Sequence, residues 1–171
     1  MRYRRMRFDG AAYFFTVNLA DRSSCLLVER IGDLRVVVGE VRRAHPFEIV
    51  AWVVLPDHLH ALWRMPEGDT DYPTRWALIK AGFSRTIPKV EQIVHSRKKK
   101  GERGIWQRRY WEHTIRDDTD LGRHMSYIHY NPVKHGYVRR AMDWEFSTFH
   151  RYVRIGWIPE DWGHGEDFGE A

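Results

Sequence analysis

The stretch from Trp52 to Trp63, WVVLPDHLHALW, constrains this chain most. Two apolar runs meet at Pro56-Asp57, and proline cannot sit in mid-ladder, so the pattern predicts two antiparallel strands joined by a tight turn. The first run, from Phe47 to Leu55, is apolar almost throughout and reads as a central strand; the second runs from His58 to Met65. Successive side chains on a strand point to opposite faces. His58 and His60 therefore leave one face and Leu59 the other, with the two Cβ atoms about 6.5 Å apart. One metal ion, at roughly 2.0–2.1 Å from each imidazole nitrogen, can bridge that span. A pair of structural or surface histidines is the plain alternative.

A chain of 171 residues has room for one domain with a core, and 43% hydrophobic with 14% aromatic residues excludes global disorder. The longest apolar run, Ile49 to Leu55, is too short to cross a bilayer, and no signal peptide is convincing after the basic N-terminus. The lone Cys25 cannot form an internal disulfide. A cytoplasmic, nucleoid-associated protein is expected. Charge is uneven: Trp157 to Ala171 holds five acids and no Lys or Arg, so the net +5 of the chain conceals a body at +10. A basic body suits a polyanion, most often nucleic acid.

In chain order, Arg2, Arg4, Arg5 and Arg7 alternate with Tyr3, Met6 and Phe8, pairing cations with stacking surfaces as single-stranded nucleic acid requires. Ala11 to Leu19 reads as a first strand. Asp33 is expected to cap a helix to Ala44, with Leu34, Val37, Val38 and Val41 on one face. Tyr72 to Ile87 reads as a second helix with Arg75, Lys80 and Arg85 as basic positions, and 96–104 as a basic loop. Tyr110 to Arg116 has strand composition, and Asp117-Asp118-Thr119 signals the start of a third helix. That helix is expected to end near Asn131, because Pro132 disfavours a helical residue before it. Tyr127 and Asn131 lie four apart on it, hence on one face. The sum is an α+β fold: a single domain with a central antiparallel-rich, ferredoxin-like sheet flanked by helices. It is divided as residues 1–140 and a C-terminal segment, 141–171, whose aromatic residues dock on it and whose end is the acidic tail.

The Pro-Asp-His-Leu-His stretch, the later Trp106-Gln107-Arg108-Arg109-Tyr110-Trp111-Glu112-His113, and Tyr127-Ile128-His129-Tyr130-Asn131-Pro132-Val133-Lys134-His135-Gly136 together resemble the REP-associated tyrosine transposases, members of the single-tyrosine HUH family. The resemblance runs from about Tyr13 to Trp162. It implies a site-specific single-stranded DNA endonuclease and strand transferase acting on REP-type hairpins through a 5′-phosphotyrosine. By position Tyr127 matches the family nucleophile, with Tyr130 three residues on as its competitor, His58 and His60 match the metal pair, and Asn131 the third ligand, with Glu112 and Asp57 as alternatives for that last place.

The cofactor expected is a divalent metal, Mg²⁺ or Mn²⁺; two imidazoles with oxygen donors suit Mn²⁺ better. Candidate DNA contacts are Arg2, Arg4, Arg5, Arg108, Arg109 and Lys134. His113, His124, His129 and His135 read as structural or phosphate-facing. A monomer using Tyr127 against its own histidines is expected, a dimer being the alternative. Two competing functions stay open: a non-catalytic hairpin-binding protein of the same fold, and a metal-dependent phosphodiesterase that uses water.

Overall fold

The computed structural model describes residues 10–89 and 103–163. Arg2, Arg4 and Arg5, nearly all of the 96–104 loop and the end of the acidic tail lie outside them. Four strands, β1 (Ala12–Asn18), β2 (Glu48–Val54), β3 (His58–Arg64) and β4 (Trp111–Thr114), form one sheet in the order β2-β3-β1-β4. Every neighbouring pair is antiparallel. The helices are α1 (Leu26–Glu29), α2 (Ile31–Ala44), α3 (Tyr72–Thr86), α4 (Asp118–Lys134) and α5 (Phe149–Arg154), with a 3₁₀ turn at Ala141–Asp143. Among the described residues no helix is long and apolar enough to cross a membrane.

The β2–β3 turn forms where Pro56 requires it. Leu55 N–H donates to the His58 carbonyl (2.8 Å), and the Pro56 and Asp57 carbonyls accept from Leu27 (3.2 Å) and Leu19 (2.8 Å). Strand alternation then sorts side chains into two cores. On one face Phe15, Trp52, Leu59, Ala61 and Trp63 pack against α1, α2 and α3. On the other, Phe14, Val53 and Leu62 pack against Leu121, Met125 and Ile128 of α4 and against Phe149, Tyr152, Ile158 and Trp162 from the C-terminal segment. The pairing slips between Ile49 and Ala51, and the bulged Val50 carbonyl accepts from the Tyr152 hydroxyl (2.6 Å). Phe146 to Thr148 cover the outer edge of β2, through Val54 N–H to the Phe146 carbonyl and Thr148 N–H to the Trp52 carbonyl, both 2.9 Å.

Three local readings need correction. Asp33 does not cap α2: the helix starts earlier, after Arg30, and Asp33 sits in its first turn, ion-paired to Arg30 (2.7 Å). Arg75, counted among the basic positions of its helix, brings no charge to the surface: it is buried, held by Asp69 and by the carbonyls of His45, Pro46 and Asp71. Pro132 lies inside α4, which runs on to Lys134. The stop comes at Gly136, whose φ of +72° lets its N–H reach the Val133 carbonyl (2.9 Å) and the Tyr137 N–H reach the Pro132 carbonyl (3.0 Å). Asp117, by contrast, caps the start of α4 as expected, accepting from Asp120 N–H (2.8 Å).

Candidate functional site

His58 and His60 leave the β3 face that α4 covers, while Leu59 enters the opposite core. Their rings stand 5.1 Å apart at 85°. Each is held by its Nδ1: His58 by the Asp57 carboxylate (2.7 Å) and His60 by the Thr16 hydroxyl directly across β1 (2.9 Å). That leaves Nε2 as the remaining nitrogen of each ring, and on His60 it is buried without a partner. Asp57 is itself fixed by Arg22 Nε (2.8 Å), so it orients a histidine through its side chain.

From α4, the Tyr127 ring reaches to 5.1 Å from His60 at 72°, with Phe14 5.9 Å from it and Lys134 Nζ 5.0 Å above it. Tyr127 is half-buried and Lys134 exposed. One turn beyond Tyr127, Asn131 is completely buried, and neither its amide oxygen nor its amide nitrogen has a partner. An unpaired buried amide costs roughly 1–3 kcal/mol, so its retention demands a reason. His135, just past α4, brings its ring to 5.2 Å from His58.

Burial sets the charge state of the pair. Desolvation lowers the pKa of His58, against the pull of Asp57, and lowers that of His60 much further, with His58 adding to the effect. Both rings are thus neutral near pH 7, the form that ligates metals. Desolvation also lowers His135.

The remaining sequence candidates separate. Glu112 pairs with Phe15 on the opposite face of the sheet and accepts from the Tyr72 hydroxyl (2.9 Å), which removes it from the surroundings of the histidines. Arg108 and Arg109 are exposed ahead of β4. Of the other histidines, His129 is a packing residue bonded to the Thr148 hydroxyl (3.0 Å), and burial drives its pKa to about 3. A groove of about 300 Å³ lies on the other side, lined by residues such as Leu34, Val38, Trp52 and Phe146, and none of the site residues borders it.

Sequence reasoning missed Thr16, Phe14 and Trp111, which only strand pairing discloses, and Arg22, which only its ion pair with Asp57 discloses. Thr16 pairs with His60 on one side and Trp111 on the other, which puts Trp111 in the same row and on the same face as His60. Trp111 is 51% exposed, an open indole beside the Phe14 ring (5.5 Å). The arrangement offers two neutral imidazoles, a buried amide, a phenol against them, and cationic and aromatic groups at the rim.

Comparison with known proteins identifies the family. The family model described as "Transposase IS200 like" matches residues 9–131. A Haemophilus influenzae protein of the REP-associated tyrosine transposase class is 48% identical over 166 residues, covering 96% of this chain and 94% of its own length. The REP-associated tyrosine transposase of Escherichia coli strain K12 is 47% identical over 167 residues, 97% of this chain and 93% of that one. A solved structure of a REP-associated tyrosine transposase bound to a REP hairpin aligns at a TM-score of 0.81 and 44% identity, covering 100% of this chain and 94% of that chain. With a fold, a tyrosine-bearing helix and relatives that agree over nearly its whole length, this chain belongs to the IS200-like transposases, in their REP-associated tyrosine group.

Proposed function

We propose that this protein cuts and rejoins single-stranded DNA beside a REP-type hairpin, with Tyr127 as nucleophile and His58, His60 and Asn131 as the holders of a divalent metal. The observation that carries the reading is the Tyr127 ring set 5.1 Å from His60, whose Nε2 is buried and unpartnered. The hairpin comes from what the relatives are named for and from the hairpin bound in the solved structure.

The residues fit the metal. His60 Nε2 and the Asn131 amide are buried donors with nothing to bind, and both Nδ1 atoms are tied back, by Asp57 and Thr16, as ligating histidines require. Asn131 is favoured over Asp57 as third ligand, since Asp57 is engaged by His58 and Arg22. Mn²⁺ or Mg²⁺, when bound, supplies charge to stabilise the phosphate as it becomes more negative.

This chain's own groups do the rest. The Tyr127 oxygen attacks the scissile phosphorus and its proton is lost. The bond from phosphorus to the 3′ oxygen breaks, the 5′ phosphate remains on Tyr127 as an ester, and the departing 3′ oxygen takes up a proton. Attack by that 3′-hydroxyl reverses the step and rejoins strands without ATP. Phe14 backs both the Tyr127 and His60 rings, and Lys134 and Arg22 bring positive charge to where phosphates must lie. Trp111 offers a stacking surface for an unpaired base. Because Tyr127 meets His60 of its own chain, a monomer suffices, and a solution mass of 20.5 kDa is expected.

Incubation with hairpin DNA carrying a single-stranded flank and Mn²⁺ or Mg²⁺ tests this. A covalent protein–DNA adduct is expected on a denaturing gel, and none with Tyr127→Phe. Cleavage without an adduct would instead mean a hydrolase using water; binding with neither would mean a hairpin-binding module.

A further inference from the structure

A second set of metal-ligating side chains converges where β4 meets α4, and nothing in the reaction above uses it. Asp120 and His124 lie one turn apart on α4, and His113 arrives from β4 through its pairing with Phe14. His113 Nε2 is 2.7 Å from one Asp120 carboxylate oxygen and His124 Nδ1 is 3.1 Å from the other. One ligand atom from each residue falls within 4.8 Å of the others, the one such trio among the described residues. We propose that His113, Asp120 and His124 form a second, structural metal site for a Zn²⁺-class ion, with water as fourth ligand.

The donor set decides the ion class. Two imidazoles and one carboxylate suit Zn²⁺ or Co²⁺, whereas Mg²⁺ and Ca²⁺ favour oxygen donors. The site is also built rather than superficial: Asp120 and His124 are 3% and 2% exposed, while the His113 side chain, 21% exposed, leaves an entry and room for a water. Hydrogen bonding alone does not satisfy the cluster, because His124 Nε2 is buried with no partner. His124 Nδ1 also lies 2.9 Å from the Asp120 main-chain carbonyl, and a half-turn of the ring about its Cβ–Cγ bond would give up that contact to carry Nε2 to the place now held by Cε1, on the side of the ring that faces Asp120.

Two features bear on occupancy. The Arg116 and Arg123 guanidinium groups oppose a cation, but they stand 3.7 and 3.9 Å from Asp120 on side chains more than half exposed, and both are free to swing into solvent. Arg116 N–H donates to Asp120 (3.0 Å), a contact that would orient the carboxylate toward an ion. This site is separate from the His58–His60 pair: the Phe14 ring lies between, 4.7 Å from His124 and 5.6 Å from His60. Its consequence is mechanical, since an ion there pins β4 to α4 one turn before Tyr127.

The test counts metal per chain in the full-length protein carrying His58→Ala and His60→Ala, after dialysis against Zn²⁺, with Co²⁺ as a coloured substitute. One equivalent is expected, with the visible absorption of tetrahedral Co²⁺ and a raised unfolding temperature. Adding His113→Ala or Asp120→Asn should weaken uptake at least about tenfold. Absence of uptake, or uptake indifferent to those two changes, overturns the proposal. Should the double variant not fold, the same count on the unaltered chain and on His113→Ala alone decides it: loss of one equivalent supports the site, and an unchanged count refutes it.

Discussion

The two faces of β3 are built from alternate residues of one seven-residue strand and could hardly differ more. Leu59, Ala61 and Trp63 enter a core of stacked aromatics, in which Trp63 and Trp76 lie 4.2 Å apart and nearly parallel and Phe47 closes on Trp63 at 4.1 Å. His58 and His60 enter the space under α4, where the rings are imidazole and phenol and polar atoms stay buried without partners. The first face has the dense apolar packing that supplies stability. Buried polar atoms without partners occur on both, but on the first they include the indole N–H groups of Trp63 and Trp76, whereas on the second they include an imidazole nitrogen of His60 and both amide atoms of Asn131, groups able to bind a ligand. A strand's period of two lets one stretch serve both ends, and the rigidity of the sealed face is what keeps the histidines in place.

The largest effects should therefore fall on different observables for neighbouring residues. Trp63→Ala is expected to cost about 3–5 kcal/mol of folding stability, read from denaturant unfolding. His60→Ala should lower single-strand cleavage by about 10²-fold or more, measured as adduct formed per minute, while hairpin binding changes little. If His60→Ala destabilised as much as Trp63→Ala and cleaved normally, the division between the faces would fail.

Acid should strike the second face first. His129, with its pKa near 3 in the folded chain against 6.5 ordinarily, is neutral when folded and takes a proton when unfolded. The unfolded state thus binds more protons below pH 6.5, and stability must fall as pH falls toward 3. Two units of that window amount to about 2–3 kcal/mol from this residue alone. His58, His60, His124 and His135 are lowered too and act in the same direction. His129→Gln should flatten the slope of stability against pH between 6.5 and 4.5 by close to one proton; an unchanged slope would contradict the burial argument.

A smaller effect is expected at the rim. Trp111→Ala should weaken binding of the single-stranded flank by about 1–3 kcal/mol and Trp111→Phe should recover most of it, measured by titration of a labelled oligonucleotide. Equal loss in both variants would remove Trp111 from the DNA face.

Much of this was legible in the residues because it depends on local periodicity. His-Leu-His on a strand, the proline turn before it, and Tyr127 one helical turn from Asn131 all follow from spacing. What escaped depends on pairing between distant segments. Nothing local says that Thr16 lies beside His60, that Trp111 shares their row, or that His113 meets Asp120. The end of α4 escaped for a different reason. Pro132 falls within the last turn, where its missing N–H forfeits one bond to the Ile128 carbonyl, and a glycine four residues on closes the helix through two bonds. Asp57 read as a rival ligand from its position, and only the bonds to His58 and Arg22 show its carboxylate engaged in holding a histidine ring.

The finest distinction between the faces comes from making one substitution, glycine to alanine, on each. In α3, a Cβ on Gly82 would lie 2.6 Å from a Val37 methyl of α2, and the stiff, branched valine in a filled core has no room to yield. Gly82→Ala should cost about 1–3 kcal/mol through overpacking. At Gly136 a Cβ meets nothing within 4 Å, but φ is +72°, so the cost is backbone alone, about 1–2 kcal/mol. The two variants separate by rescue: Val37→Ala should restore much of the loss in Gly82→Ala, because it removes the clashing methyl, whereas no neighbouring truncation can help Gly136→Ala. Gly136→Asn should do so, since asparagine tolerates the left-handed region. Failure of Val37→Ala to rescue would mean that the α2–α3 contact is looser than the sealed face requires.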